Sequence, residues 1–443
     1  MFKEDFQMRI LLVGSGGREY AIAQKIYLDS PDCDLYFLPG SDSMQEFGQC
    51  IDLNPLEVDL VANWAEKQKI DLVIIGPEGP LVAGLGDSCV DHGLKVFGHD
   101  QSTSLLEGSK SFAKNFMKKY EIPTAASYDI SDWSTGESLI IHWPHLLPIV
   151  LKADGLASGK GVVIASTKEE ALKTLRSFLD GKFGEASKKI VFEEYLNGIE
   201  LSQHLLIDVT PDHRNYCLLP ACQDHKKLIS DDKGPNTGGM GAFAPIPFLT
   251  EDDVEVLKRK IIDPTLDGLH SEGLVGRGVL FLGIMWTSEG PKLLEYNCRF
   301  GDPEAQVLMA MMNEPLLPLL LQVAEQRLSK KMVEVKPGTH LTYVLASAGY
   351  PDKVLQPVEI PNLPIGNPSI IHAGTKLQDH RWFTHGGRVL NVVVSGKNLE
   401  QAQERGKLII GQVAWCGMQY RPDIGEKALR HHRAGKSFYD LWS

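Results

Sequence analysis

Residues 293–304 read LLEYNCRFGDPE, an apolar pair followed by alternating polar and apolar side chains. Such alternation is typical of a β-strand and places Glu295, Asn297 and Arg299 on one face, with Cys298 pointing into the core. A carboxylate and an amide oxygen on one face suit Mg²⁺, which takes few protein ligands when nucleotide phosphates supply the others. Arg299 could neutralise a phosphoryl group in transfer. The alternative is a solvated strand face or a charged sheet edge.

A second informative segment, residues 152–165, reads KADGLASGKGVVIA. Its part from Gly155 to Gly161, GLASGKG, is one residue shorter than a P-loop. Gly161 also stands where a P-loop has the Ser or Thr that binds magnesium. We instead expect a Gly-rich hairpin, between two strands, that covers a triphosphate. Lys152 ends a buried apolar strand, where an unpaired ammonium is costly, so an anionic ligand is the expected partner. The alternative is a lysine whose ammonium extends to solvent.

Further polar and Gly-rich segments lie between these two. Residues 191–196 read VFEEYL and could end a strand at a hinge that binds adenine through its backbone, with Glu200 near a ribose hydroxyl; an ordinary strand end is the alternative. Residues 234–241 read GPNTGGMG and follow QDHK at 223–226. Such a loop usually binds a small molecule or carries a tight backbone crossing.

The first hundred residues alternate between apolar strands and helical patterns, which predicts a parallel sheet with helices on both faces. We expect strands at 8–13, 35–38, 71–75 and 95–97. Gly14-Ser15-Gly16-Gly17 follows the first of them and opens a helix, where a phosphate could bind. The dinucleotide fingerprint fails because Glu19 occupies its third glycine position. A plain tight turn, an anion site and an NAD site therefore stay open.

The pattern divides the chain into four parts of an α/β protein. We predict an N-terminal Rossmann-like domain over 1–125, a small α+β lid over 126–199, a catalytic core over 200–332 and a C-terminal α+β domain over 333–443. Met1 to Gln7 is expected to be a frayed extension.

Composition excludes several classes of protein. The 443 residues carry a net charge of -12, which argues against non-specific nucleic-acid binding. The most apolar stretch, at 315–324, is about half a membrane span, and the start lacks the features of a signal peptide. Seven cysteines without a C-x-x-C pair indicate thiols in a reducing compartment. We expect a cytoplasmic protein that binds neither nucleic acid nor membranes.

Taken in order, these motifs resemble those of the ATP-grasp ligases and, within them, the glycinamide ribonucleotide synthetases. The resemblance covers nearly the whole chain after Met8. Its most specific motifs are GPNTGGMGA at 234–242 and NCRFGDPE at 297–304. The other motifs are GSGGRE, GPEGPLVAG, EGSKSFAK, IPTA, KADGLASGKGV, QDHKK, HAGT and GGRVL.

The resemblance implies an ATP-grasp fold with a parallel-sheet N-terminal domain and an α+β C-terminal domain, and a monomer. It implies that ATP, glycine and 5-phosphoribosylamine give ADP, phosphate and glycinamide ribonucleotide through glycyl phosphate, in purine synthesis. Arg299, Asp224 and Lys152 would be catalytic, the first two also binding glycine and the acyl phosphate. Glu295 and Asn297 would hold Mg²⁺ or Mn²⁺.

The remaining implied roles concern the two larger substrates. ATP would contact Lys110, Lys152, Gly155, Ser158, Gly159, Lys160, Gly161, Glu193, Glu194, Leu196 and Glu200. Phosphoribosylamine would face Gly16, Glu78, Asn236, Thr237 and Gly238.

Three positions depart from the family pattern. Tyr20 replaces a histidine after GGRE, a change we expect to be tolerated; Pro39 to Ser43 replaces a PGN-type turn; and Gly283-Ile284-Met285 lacks the extra carboxylate of many ATP-grasp enzymes. Three alternative functions stay open. A non-catalytic nucleotide-binding regulator is opposed by the presence of Lys152, Glu295, Asn297 and Arg299, and a dehydrogenase is opposed by the failed fingerprint. The third is an ATP-grasp carboxylase of the same pathway.

Overall fold

The computed structural model describes residues 7–157, 161–355, 357–361, 363–364 and 366–434. Its N-terminal part is a five-stranded parallel sheet of order β3-β2-β1-β4-β5. The strands are β1 Arg9–Gly14, β2 Asp34–Pro39, β3 Gln49–Cys50, β4 Leu72–Ile75 and β5 Val96–Phe97. The helices are α1 Gly17–Asp29, α2 Val58–Lys67, α3 Glu78–Val82, α4 Leu85–Asp91, α5 Gln101–Gly108 and α6 Lys110–Lys119, with a 3₁₀ helix at Asp42–Glu46.

The parallel sheet is confirmed, with one strand more than the sequence predicted. Ile10 to Val13 in β1 are almost fully buried, since helices cover both faces of the sheet. The additional strand, β3, has two residues, too few for a pattern to form.

Residues 127–194 form a second, smaller sheet of order β6-β9-β7-β8. Its elements are β6 Ser127–Ile130, α7 Trp133–Ile141, β7 Ile149–Ala153, β8 Val162–Ala165, α8 Lys168–Leu179, a 3₁₀ helix at Gly184–Ser187 and β9 Ile190–Glu194. This part has its own apolar core, which includes Ile149, Leu175 and Phe192. The predicted strand–turn–strand around the Gly-rich segment is therefore present, although Ser158, Gly159 and Lys160 lie outside the described residues.

The next part centres on a four-stranded antiparallel sheet of order β11-β10-β16-β17. The strands of this part, within and outside that sheet, are β10 Ile199–Val209, β11 Arg214–Leu218, β12 Gln223–Asp224, β13 Lys227–Ile229, β14 Lys233–Asn236, β15 Gly241–Ala244, β16 Gly276–Thr287 and β17 Gly290–Asn297. Its helices are α9 Glu251–Leu257, a π-helix at Lys258–Ile262, α10 Asp263–Glu272, α11 Glu304–Met311 and α12 Leu316–Ala324. The helix predicted over 315–328 is thus shorter than expected.

The C-terminal part contributes β18 Thr339–Ala346, β19 Ile370–His372, β20 Thr375–Gln378, β21 Arg381–Thr384, β22 Arg388–Gly396, α13 Leu399–Gln412 and α14 Glu426–Arg433. One sheet, of order β12-β15-β18-β22-β19, combines strands of this part with two from the preceding part. The sheet therefore crosses the boundary that we predicted at 332/333, and the chain's last hundred residues share a core with its middle.

All seven cysteines are free thiols. Within the described residues, no helix combines the length and apolar character needed to cross a bilayer.

Candidate active site

Arg299 lies at the centre of a group of carboxylates where the N-terminal sheet meets the core. Its Nη2 lies 2.9 Å from Glu107 Oε1 and donates to Asn297 Oδ1 at 3.2 Å, and its Nε lies 3.4 Å from Glu78 Oε2. Burial opposes a charge on Arg299, but Glu107 and Glu78 outweigh burial and raise its pKa. The guanidinium is therefore charged and held in place, as a group that binds an oxyanion must be.

Glu295 faces the same space from β17, as the period-two pattern predicted. Its carboxylate lies 3.9 Å from Lys226 Nζ. Burial opposes its ionisation, yet Lys226, Lys152 and Lys110 together lower the pKa of Glu295. Glu295 is thus an ionised oxygen donor among three cations, and Asn297 presents its amide oxygen two residues further along the same face.

Lys152 has a carboxylate partner, which corrects our expectation of an ammonium that waits for a phosphate. Its Nζ lies 2.8 Å from Glu193 Oε1, and Lys114 Nζ lies 3.0 Å from the other oxygen of Glu193. All three side chains are buried. One carboxylate thus serves two ammonium groups, which leaves the cluster with an excess positive charge for an anion.

Glu193 was predicted to bind ATP, but its side chain belongs to this lysine cluster. The carboxylate of Glu194 instead accepts from Ala126 N at 3.0 Å, and Leu196 is buried beyond it. Glu200, predicted at the ribose, forms an ion pair with Lys226. A ribose hydroxyl would therefore have to share Glu200 with that lysine.

Lys110 lies beside the Gly-rich segment. Its Nζ donates to Gly155 O at 3.1 Å and lies 3.4 Å from Asp154 O. Burial lowers the pKa of Lys110, while Glu295 opposes this. Gly155 and Gly161 flank the turn, and an added Cβ would lie 2.9 Å from Ala186 or 2.7 Å from Ala157 respectively. Lys110, the first residue of α6, thus contacts the chain where the Gly-rich segment begins.

Asp224, which is partly buried, lies near the buried carboxylate of Glu304. The Asp224 carboxylate accepts from His225 N at 2.6 Å. Burial and the neighbouring Glu304 raise the pKa of Asp224 well above its ordinary value, and burial also raises the pKa of Glu304. Two neighbouring carboxylates that are shielded from water resist full ionisation unless a cation binds between them. This pair is suited to an ammonium ligand.

The Gly-rich loop at 234–241 is shaped by its own polar groups. The Thr237 hydroxyl donates to Lys226 O at 2.8 Å and accepts from Gly239 N at 3.1 Å. The carbonyl oxygen of Gly238 accepts a hydrogen bond from Arg388 Nη1. Gly239 has a φ of +111°, which residues with a side chain rarely adopt. The Thr237 side chain thus maintains the loop, while Asn236 ends β14 beside it.

A cavity of about 480 Å³ lies between the N-terminal sheet and the C-terminal part. Gly16, Gly374, Lys376, His385, Arg388 and Asp302 are among the residues that line it. Its size falls within the roughly 300–1,000 Å³ of small-molecule sites. Of the residues predicted for phosphoribosylamine, Gly16 lines this cavity, whereas Glu78 lies with Arg299 in the carboxylate group.

Two glycines at the carboxyl ends of β1 and β4 are required by packing against Glu19. An added Cβ at Gly14 would lie 2.4 Å from the Glu19 side chain, and one at Gly76 would lie 2.3 Å from it. Glu19 in turn accepts from Gly16 N at 2.8 Å. The departure from the dinucleotide fingerprint is therefore structural, because Glu19 fills the space over the turn.

Sequence reasoning missed the counter-ions of this site. Glu107, Lys114, Lys226, Glu304 and Arg388 received no role. Lys226 lies two positions after Asp224, a spacing that could have indicated it. The others are brought in by tertiary contacts, as in the bond from Cys298 N to Glu107 Oε2 across 191 residues.

Comparisons with known proteins agree along the chain. Family models match in three consecutive parts: the phosphoribosylglycinamide synthetase N domain over 8–107, the ATP-grasp (A) domain over 108–305 and the C domain over 340–427. A phosphoribosylamine–glycine ligase of Agrobacterium fabrum is 41% identical over 430 residues, covering 96% of this chain and 100% of the relative.

Two solved structures are similar as well. The crystal structure of phosphoribosylamine–glycine ligase from Thermotoga maritima has a TM-score of 0.79 at 33% identity, covering 94% of this chain and 100% of that one. The biotin carboxylase domain of a Hydrogenobacter thermophilus 2-oxoglutarate carboxylase, crystallised with magnesium ADP and bicarbonate, has a TM-score of 0.71 at 16% identity, covering 93% and 92%. The second likeness concerns the fold alone.

Proposed function

Because the chain belongs to the phosphoribosylglycinamide synthetase family, we propose roles for its residues in the reaction that it catalyses. This reaction is the ATP-dependent ligation of glycine to 5-phosphoribosylamine, the second step of purine biosynthesis, which yields glycinamide ribonucleotide. The protein is a carbon–nitrogen ligase of the ATP-grasp fold that uses ATP and a divalent metal ion. We further infer that it acts as a cytoplasmic monomer and binds no nucleic acid.

The arrangement that carries the mechanism is the row of cations opposite Glu295 and Asn297. Lys110 and Lys152 bind the phosphates of ATP, and Lys110 contacts Gly155 at the start of the Gly-rich segment. The single negative charge of Glu193 neutralises only one of the two ammonium groups of Lys114 and Lys152. One positive charge is therefore left to interact with the phosphates. Adenosine lies toward Glu194, Leu196 and Glu200.

Glu295 and Asn297 fit a divalent ion, because an ionised carboxylate and an amide oxygen on one face are hard oxygen donors. Among the described residues, no group of three or more His, Cys, Asp or Glu side chains could hold a metal by itself. Two protein ligands plus phosphate oxygens are typical of Mg²⁺, and Mn²⁺ accepts the same donors. The bound ion supplies charge neutralisation at the phosphates.

Glycine binds between Arg299 and the Asp224–Glu304 pair. Arg299 orients the glycine carboxylate, and the glycine ammonium lies against the carboxylates of Asp224 and Glu304. Its positive charge favours the ionised form of both groups, whose pKa values burial raises. A carboxylate oxygen then attacks the γ-phosphorus. The new O–P bond forms as the bond from phosphorus to the ADP oxygen breaks, and Lys152 neutralises charge that shifts onto ADP.

Phosphoribosylamine binds in the 480 Å³ cavity, with its phosphate toward the backbone of Gly16 and Gly374 and toward Arg388. Its nitrogen attacks the carbonyl carbon of glycyl phosphate and loses a proton. The carbon–oxygen bond to the phosphoryl group breaks, and inorganic phosphate leaves with one oxygen from glycine.

An isotope experiment tests this sequence of steps. With glycine labelled by ¹⁸O in its carboxylate, the inorganic phosphate formed should contain one ¹⁸O atom per turnover. Positional isotope exchange in ATP should also require glycine but not phosphoribosylamine. Unlabelled phosphate would contradict the glycyl phosphate intermediate.

The cavity assignment has a separate test. Ser15 is exposed at the cavity wall, so Ser15→Trp adds bulk there. This variant should raise the KM for phosphoribosylamine, generated in the assay from ribose 5-phosphate and ammonia, at least tenfold. It should leave glycine-dependent isotope exchange unchanged; an unchanged KM would place the amine elsewhere.

A further inference from the structure

Two of the positions that depart from the family pattern, Asp42 and Tyr20, contact opposite ends of one short helix beside the cavity. Asp42, in the unusual turn after β2, begins the 3₁₀ helix Asp42–Glu46. Its carboxylate accepts from Leu377 N at 2.9 Å and lies 3.3 Å from Lys376 Nζ. A side chain of the 3₁₀ helix in the N-terminal part thus holds β20 of the C-terminal part.

Tyr20 fixes the other end of this short helix. Its hydroxyl donates to the carboxylate of Glu46, and its ring contacts those of Phe47 and His372 at centroid distances of 5.1 and 5.5 Å. Tyr20 is almost fully buried. The residue that replaces the family's histidine therefore joins three segments: α1, the Asp42–Glu46 helix and the strand β19.

The element that these contacts position borders the cavity. Strands β20 and β21 form a separate two-stranded sheet, and Thr375 and Lys376 of β20 line the cavity. Strand β21 is fixed by the segment at 358–360, through Ile360 N to Trp382 O at 2.8 Å and Thr384 N to Val358 O at 2.9 Å. Strand β20, the edge of the hairpin that faces the cavity, is attached to the N-terminal part at Asp42.

We propose that Asp42, oriented by Tyr20 through Glu46, is a positioning residue that fixes the β20–β21 hairpin against the cavity and thereby sets the affinity for the phosphorylated sugar amine. This inference rests on the proposed function, because it assumes that the cavity binds phosphoribosylamine. Asp42 lies at the cavity wall, whereas Tyr20 is not among the lining residues and acts through Glu46. Tyr20 and Asp42, which both depart from the family pattern, then act together on the position of the same hairpin.

The test compares Asp42→Ala, Tyr20→Phe and the double variant in steady-state kinetics. Each single change removes a hydrogen bond to a charged group and should raise the KM for phosphoribosylamine on the order of tenfold. The double variant should be no worse than the poorer single variant, since both act through one contact. The KM for glycine, the KM for ATP and glycine-dependent isotope exchange should stay within about twofold.

Controls separate positioning from other roles. Asp42→Asn keeps an acceptor for Leu377 N–H and should recover much of the affinity. Glu359→Ala removes an exposed ion pair with Arg381 on the other strand of the hairpin and should change nothing. If Asp42 bound the sugar directly, Tyr20→Phe would leave KM unchanged, and the proposal would be wrong.

Failure of the proposed function would look different. If the cavity did not bind phosphoribosylamine, Ser15→Trp would also leave its KM unchanged. If Ser15→Trp raised that KM while both Asp42→Ala and Tyr20→Phe were normal, the cavity assignment would stand and the positioning role would be overturned.

Discussion

Glu193 is a single carboxylate between two buried ammonium groups, and this arrangement changes what the removal of Lys152 should do. Lys152→Ala still leaves Glu193 paired with Lys114 at 3.0 Å. We therefore expect little change in melting temperature but a loss of roughly 10² in glycine-dependent ADP release, as for other single contacts to a developing charge. Coupled ADP release and a thermal melt measure the two effects.

The matched variant is Glu193→Ala, which leaves Lys114 and Lys152 buried without their carboxylate. It should lose about 3–5 kcal/mol of unfolding free energy, the usual cost of breaking a buried pair from one side. Equal destabilisation by both variants, with activity per folded molecule intact in Lys152→Ala, would make Lys152 a structural residue.

Glu295→Gln tests the metal site at the same scale. The variant should fold, and its activity should fall steeply, most of all at limiting magnesium, because the amide binds a divalent ion less strongly than the carboxylate. A magnesium titration of ADP release measures this. Glu200→Gln removes the other carboxylate beside Lys226 and should leave the magnesium dependence unchanged.

The Asp224–Glu304 pair predicts a pH dependence. Burial and Glu304 raise the pKa of Asp224, and a protonated Asp224 cannot pair with the glycine ammonium. Hence kcat/KM for glycine should fall as pH decreases through that pKa. Glu304→Gln removes one cause of the increase, so the pKa of Asp224 should fall and the decline should move to lower pH.

The pH profile of kcat/KM for glycine checks this prediction. Glu289→Gln is the control, because Glu289 is an exposed carboxylate in the turn before β17, where it pairs with Lys292. A shift of the profile in the control, or to higher pH in Glu304→Gln, would contradict the assignment.

At the scale of elements, the 127–194 sheet is built as a unit that could move as one body. It has its own core, and Gly155 and Gly161 stand at the two ends of its Gly-rich segment. We predict that it closes when ATP binds and thereby excludes water from an acyl phosphate. Hydrogen exchange of peptides covering 149–157 and 161–165 should slow with ATP; unchanged exchange would count against closure.

At the scale of the whole molecule, the shared sheet β12-β15-β18-β22-β19 makes the C-terminal part inseparable from the core. A chain that ends at residue 332 would expose β15, whose four residues are buried. We predict that it loses its cooperative melt. A chain in which a Gly-Ser linker replaces 127–194 should keep one, although it should lack activity. Circular dichroism melts of both chains test the difference.

The sequence by itself determined the features that depend on local pattern. Apolar runs separated by glycines predicted the parallel N-terminal sheet, because β1 and β4 are buried on both faces. Period two placed Glu295 and Asn297 on one face of β17, since side chains alternate along any strand. The order of the Gly-rich motifs indicated the family, which the comparisons confirmed.

Only the tertiary structure decided which charges meet. Arg299 is held by Glu107 and Glu78, and Lys152 by Glu193, through approaches between separate elements that leave no periodicity in the sequence. The sheet shared by the core and the C-terminal part was missed for the same reason. The sequence records which face a residue lies on, whereas the energy of a buried charge depends on what the opposite face brings to it.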